Sequence, residues 1–349
     1  MLRMLIILGL FFSSLVSAET LVPAKLEDQS PKEPLRKSIF GTQENNRGCR
    51  ILSRDPAATV DQDAALSATL KSIIKSIKDS DESLLVPLFH PQIKVKKASV
   101  KAAFISIDQI TGPKPDATLF RAYAMNNPTG EVAGIECLED GIKVYPLYGH
   151  PLQVGAWIQV TGKNEVARTY IILIPTKDQW RIGAWHVQQW THFGKDIDTW
   201  RSEASLLASK KESIAAWVYL DLAGKLLDGG KFLEFPVAND LERDRAALLN
   251  GKPLIDALSP KFPGDNVVYA SSLFSRKGAS LLVRFKIPAE MSANAIKQHC
   301  IDRFKKLNSE AWMTAIAGMR CDYVLPMESV LKEGKSGGMF VDREIISSR

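Results

Sequence analysis

Apolar residues recur at helical spacing near the start of the first half and then at alternating spacing for most of its length. Leu66, Leu70, Ile73, Ile74 and Ile77 make one apolar face and predict a helix over 61–79. Asp61 or Asp63 can cap it, and Asp79-Ser80-Asp81 breaks it. A shorter helical turn runs from Glu82 to Phe89 and stops at His90-Pro91. Residues 92–110 read as extended or mixed, with Ile93, Val95 and Phe104 as anchors. From about residue 118 the period becomes two, which predicts strands over 119–125, 131–138, 141–147, 152–161, 166–174 and 180–190. Asn126 to Gly130, Gly162-Lys163-Asn164 and Pro175 to Asp178 are the turns between them. On the last strand Ile182, Ala184, His186 and Gln188 are expected on one side, with Trp185, Val187 and Gln189 on the other. Helices followed by a long antiparallel meander give an α+β class, with N-terminal helices packed on a curved antiparallel sheet.

The pattern restarts in the second half. Leu206, Leu207, Ile214, Trp217, Val218, Leu222, Leu226 and Leu227 predict one long helix over 199–227, capped by the Asp196-x-Asp198 segment and stopped by Gly229-Gly230. A short helix over 240–249 and a hairpin of 267–274 with 280–287 follow. Ser292 caps a further helix, on which Ile296, Cys300, Phe304 and Leu307 share a face. Cys321, Tyr323 and Leu325 alternate on a strand, and 339–346 reads as a last strand. The expected organisation is a first α+β domain over 49–198 and a second, smaller α+β domain over 199–349 that begins with the long helix.

The first residues add an address. Arg3, the apolar run Leu5 to Phe12, and Val16-x-Ala18 form the pattern of a cleavable signal peptide over 1–18, with the cut after Ala18. Residues 19–48, with Pro23, Pro31 and Pro34 among charges, read as a flexible tether. No later stretch reaches the roughly 20 apolar residues that a membrane span needs. Four cysteines remain, an even number that suits an oxidising compartment. They allow three pairings, of which Cys300–Cys321 and Cys49–Cys137 keep each loop within one half. They are too far apart to suggest a metal, and no cofactor is expected.

Net charge is +6, with acidic groups flanking most basic ones, which argues against a nucleic-acid partner. The cluster Lys94, Lys96, Lys97 and Lys101 reads as a solvated strand edge. Its alternative is a weak site for an anionic envelope polymer.

Two segments resemble the nuclear-transport-factor-2-like superfamily, which includes ketosteroid isomerases and polyketide cyclases. One is Leu84-Leu85-x-x-Leu88-Phe89-His90-Pro91 after the first helix. The other is the pair Thr169 to Ile174 and Gln179 to Val187, with its Trp180-Arg181-Ile182 start. The resemblance covers about 60–195 and implies a cone-shaped cavity. His186 and Gln188 would line it with polar groups, and Tyr123 and Trp157 would be its aromatic wall. Catalytic members place an acid or a histidine pair inside the cone, and here no carboxylate can be set beside His186 from the sequence.

Catalytic motifs are otherwise wanting. There is no Gly-x-Ser-x-Gly and no His-Glu-x-x-His. Gly334-Lys335-Ser336 lacks the first glycine of a phosphate loop, and Ser72-x-x-Lys75 and Ser329-x-x-Lys332 lack companions. The sequence thus points to an exported, non-enzymatic accessory protein of the bacterial cell envelope, holding a protein partner or a small hydrophobic ligand. Its rival is an isomerase, dehydratase or hydrolase working around His186.

Overall fold

The computed structural model describes residues 48–52, 63–128, 133–137, 141–147, 149–177, 179–325 and 338–347. The expected signal peptide, the expected tether up to residue 47, Asp61, the tip of the turn at 129–130 and the Gly334-Lys335-Ser336 segment lie outside them. The chain is α+β. It divides into two compact units, one of 1–189 with 229–234, the other of 190–228 with 235–349.

The first unit is built on a five-stranded antiparallel sheet. Its strands are β1 (Gly48–Ile51), β2 (Asp116–Asn126), β5 (Leu152–Thr161), β6 (Val166–Pro175) and β7 (Trp180–Gln189), adjacent in that order. One face carries the helices α1 (Ala64–Asp79), α2 (Glu82–Leu85) and α3 (Lys97–Thr111). The core between them includes Leu66, Ile73, Ile77, Phe104 and Ile107 from the helices and Val154, Ile158, Ile171 and Ile182 from the sheet. Asp63 fixes the entry to α1: its carboxylate accepts from the Leu66 N–H at 2.9 Å and from the Trp180 indole at 3.4 Å. A second, three-stranded sheet joins β3 (Ile135–Cys137), β4 (Ile142–Val144) and β8 (Leu233–Glu234). β8 is a return visit, because its two residues belong to the first unit although the sequence around them belongs to the second. The Cys49–Cys137 disulfide ties β1 to β3.

Two expectations fail here for local reasons. Residues 97–111 form a helix, not an extended stretch. Val100, Phe104, Ile107 and Thr111 are its buried positions, at helical spacing, but Lys96 stands at the cap and no side chain bonds the first turn. Lys94 and Lys96 therefore precede a helix, and Lys97 and Lys101 lie on it. All four are exposed, and they form no strand edge. The last strand also breaks its alternation. Leu173 pairs with Ile182 and Ile172 with Ala184, so Gly183 is an unpaired bulge residue. Side chains change face there, and Ile182 joins the helix-facing core together with Trp185 and Val187. Ile182 is thus not on the side of Ala184, His186 and Gln188.

The second unit packs helices on a four-stranded sheet. Its order is β12 (Gly338–Asp342), β11 (Gly318–Val324), β10 (Gly278–Lys286), β9 (Asn266–Ser275). β9 and β10 form the expected hairpin, while β10 and β11 run parallel. The parallel pair needs a crossover, and α8 (Ala293–Leu307) supplies it. Ser292 caps α8 through the Ala295 N–H, and Ile296, Cys300, Phe304 and Leu307 are buried as expected. The expected single helix over 199–227 is two: α4 (Ile197–Ser209) and α5 (Ser213–Lys225). Ser209-Lys210-Lys211-Glu212 offers the core nothing apolar, and Lys211 turns through φ 63°. α4 buries one stripe, whereas α5 has Ala215, Ala216, Val218, Leu220 and Leu222 buried. Folding back lets α5 be covered, with Trp200 of α4 against Tyr219 at 4.9 Å between ring centroids. α6 (Val237–Leu248) and α7 (Leu254–Leu258) complete the helices before β9. At the C-terminal end β12 stops at Asp342 and 343–347 form a short helix instead of more strand.

Cys300 and Cys321 are bonded, which ties the crossover helix to the strand it leads into. Both pairings are the ones favoured from the sequence. Loops of 21 and 88 residues correspond to losses of unfolded-chain entropy worth about 3 and about 4.5 kcal/mol. Replacing Cys300 and Cys321 together by alanine is expected to lower the unfolding free energy by about 3 kcal/mol. Urea titration of the oxidised variant and parent measures it, and coincident midpoints would contradict the estimate.

Candidate functional site

The four residues expected around a cone cavity do share a face. Tyr123 pairs opposite Gly155, Trp157 opposite Tyr170, His186 opposite Tyr170 and Gln188 opposite Arg168, all on the sheet face turned away from the helices. That face is filled with side chains. Tyr123, Trp157, Tyr170 and Gln188 are buried. The Tyr170 ring stands 5.1 Å from Trp157, and its hydroxyl occupies the space over Gly155, where an added methyl would fall 2.2 Å away. Burial pushes the Tyr170 hydroxyl pKa up, so it stays protonated. His186 is half-buried and lies against Gly230, where a Cβ would approach Nδ1 to 2.8 Å. Gly230 is held at φ 58°, so glycine serves both the backbone and the close approach.

A second histidine pair lies near the loop after β4. His90 and His150 meet edge to face at 6.0 Å between ring centroids. Burial, reinforced by His90, holds His150 down to about 4. Burial, reinforced by Arg181, lowers His90. Neither is poised as a base near neutrality.

The second unit contains a cleft of about 360 Å³. Its lining comes from the loop before β9 (Gly264, Asp265, Asn266), from the end of β10 (Phe285 to Pro288) and from His299 of α8. Register explains the meeting, because Asn266 pairs with Lys286 at one end of the hairpin. Below the cleft runs a connected polar chain. Arg303 is ion-paired with Asp265: Nη2 donates to Oδ1 at 3.0 Å, while Nε lies 2.5 Å from Oδ2 without the geometry of a hydrogen bond. His299 Nε2 is 3.1 Å from Asp265 Oδ1, and its Nδ1 is 2.9 Å from the Tyr323 hydroxyl. The Tyr323 hydroxyl also donates to the Ile296 carbonyl at 3.3 Å, so both ring nitrogens of His299 and the phenol belong to one network. Arg303 and His299 lie four residues apart on α8, one turn, so the helix presents both to the same carboxylate. Burial, and then the Asp265 charge, push the Tyr323 phenol up. Phe285 stacks on Tyr323 at 5.8 Å and meets Phe262 and His299 edge-on.

What this arrangement can do chemically is narrow. Both nitrogens of His299 and Oδ1 of Asp265 are hydrogen-bonded, Asp265 Oδ2 is buried beside the Arg303 guanidinium, and Tyr323 is fully buried. A Ser–Lys pair elsewhere in the unit is closed in a similar way. Lys225 Nζ lies 2.8 Å from Ser272 Oγ and 3.1 Å from Asp221, while Ser272 donates to Asp221 at 2.6 Å. Ser272 is buried. Sequence reasoning missed both clusters. Their only trace was one turn of spacing, His299 to Arg303 and Asp221 to Lys225, which fits any solvated helix face.

Among the described residues no three or more His, Cys, Asp or Glu side chains converge as a metal site, and no helix is long and apolar enough to cross a membrane. Lys94, Lys96, Lys97 and Lys101 have no exposed large aromatic on their helix to accompany them, and Lys97 reaches Glu82 at 3.7 Å. No family model, no curated protein and no solved structure matches the chain.

Two outcomes are expected. Asp265→Ala leaves the Arg303 charge half-buried without its partner, at a cost of about 2 kcal/mol after allowance for partial exposure. Tyr323→Phe removes the buried hydroxyl and its contacts to His299 Nδ1 and the Ile296 carbonyl, which share one proton, at about 1 kcal/mol. Denaturant unfolding of the two variants should preserve that order, and an Asp265→Ala midpoint equal to that of the parent would refute it. The histidines set a pH dependence. Their folded pKa values lie below the unfolded value near 6.5, so the unfolded chain takes up protons first as pH falls. Stability should therefore be full above pH 6.5 and decline between about 6.5 and 4, and His150→Gln should flatten that decline. A thermal-melt series over this range that is unchanged by His150→Gln would exclude the pair as its cause.

Proposed function

We propose that this is an exported accessory protein of the bacterial cell envelope that binds a ligand without transforming it. The observation that carries the reading is the cleft of the second unit, open beside Lys286 and Asn266 and closed chemically at Asp265, His299 and Tyr323. A volume of about 360 Å³ falls at the small end of the roughly 300–1,000 Å³ of ligand sites. Phe285, Ile287 and Pro288 give it apolar wall and Asn266 and Lys286 a few polar groups, the usual mixture in such sites.

The address follows from covalent chemistry. Two disulfides account for all four cysteines and belong to a chain that folds under oxidising conditions. Export through the signal of residues 1–18, and a place in the periplasm or outside the cell, are the finer form of that statement. The first unit is read as the docking module. The resemblance of 60–195 to nuclear-transport-factor-2-like domains supports that role, and so does the layered sheet that its sequence builds.

Mass spectrometry of the protein isolated without reductant from its producing cells tests this. The expected mass is that of a chain beginning at Glu19 with both disulfides formed, and native spectra should show a co-purifying small molecule that keeps its mass on incubation. An uncut chain with free thiols would overturn the address. A bound molecule converted to product would overturn the non-catalytic reading.

A further inference from the structure

The polar chain under the cleft fixes the charge that a ligand meets. Asp265 is neutralised by Arg303 at 2.5 and 3.0 Å and is also engaged by His299. Its carboxylate is therefore not available to attract a cation. Lys286 stands on the rim in the opposite condition. It is half-buried at the end of β10, lines the cleft, and its ammonium meets no carboxylate among the described residues. The local sum over Lys286, Arg303 and Asp265 is one positive charge (two cations less one anion). The side-chain amide of Asn266, exposed and paired in register with Lys286, adds a hydrogen-bonding group at the same end. The remaining wall is apolar: Phe285 and Ile287 are buried and Pro288, which has no N–H to offer, is exposed.

We propose that the cleft binds a small amphiphilic carboxylate, with the Lys286 ammonium and the Asn266 amide at the carboxylate and Phe285, Ile287 and Pro288 along the apolar part. This rests on the reading of the cleft as a ligand site and adds the class of ligand. The physical reason is a difference in compensation. A carboxylate placed there gives the one uncompensated ammonium of the cleft its counter-ion. An ammonium ligand would meet Lys286 and find the carboxylate of the lining, Asp265, already ion-paired with Arg303 and hydrogen-bonded to His299. A neutral alcohol would gain the apolar contact and lose the ion pair.

The test uses the full mature chain and three probes with the same apolar tail: octanoate, octylammonium and 1-octanol. Titrations are followed by amide chemical shifts, in wild type and in Lys286→Met. Octanoate should shift the amides of Asn266 and Ile287 and should weaken by about tenfold in Lys286→Met, equivalent to about 1.4 kcal/mol. The weak binding of 1-octanol should be unaffected by that substitution. Lys286 lies half-exposed at a strand end, and an unchanged thermal midpoint of Lys286→Met shows that the fold is kept. Equal affinity for octanoate and 1-octanol, or preference for octylammonium, would overturn the carboxylate class while leaving the cleft a ligand site. Absence of cleft shifts with all three probes would overturn both.

Discussion

The carboxylate of Asp265 has to be neutralised before the second unit can close over it. An ionised carboxylate removed from water without partners would cost several kcal/mol. Arg303 pairs with it as a cation and hydrogen-bonds it through Nη2, and His299 hydrogen-bonds it through Nε2. Those partners come from α8, the helix that the parallel pair β10–β11 requires as its crossover, so the sheet topology and the charge compensation are one arrangement. The Cys300–Cys321 bond lies beside it, next in sequence to His299 and two residues before Tyr323, and fixes the helix against the strand that carries the phenol. Phe285 packs against His299 and Tyr323, which joins the polar chain to the aromatic core.

General acid–base chemistry needs a group that can exchange a proton and reach a substrate. Both nitrogens of His299 are hydrogen-bonded, and burial lowers the pKa values of His90 and His150. Lys225 is committed to Asp221 and the two serines of β9. At the cleft, Lys286 meets no carboxylate among the described residues and stands beside an apolar wall of Phe285, Ile287 and Pro288.

Much of the fold was legible in the sequence because burial writes a period into it. The faces of α1 and α8, the hairpin β9–β10, the strands β5 to β7 and the caps at Asp63, Asp196 and Ser292 all follow from apolar spacing and one side-chain hydrogen bond each. The helix over 97–111 was not read because Lys96 gives no start signal and the alternation of Ile93 and Val95 just before it mimics a strand. The break at Lys210–Glu212 was missed because α5 is apolar nearly all round, so its pattern continues that of α4 without a visible change of phase. The face of Ile182 was misjudged because a bulge at Gly183 inserts one residue without any change in composition. The cleft left no motif, since its residues come from 264–266, 285–288 and 299 and are ordinary in each segment.

The sequence by itself determined the α+β class, the even set of four cysteines and the order of helices before strands, because each depends on local period or on a count. Only the tertiary structure decided that β10 and β11 are parallel, that β8 returns to the first unit, and that Asp265, Arg303, His299 and Tyr323 form one chain. Those facts depend on which distant backbone groups and charges satisfy one another, and a partner chosen across 34 or 38 residues leaves no trace in local spacing.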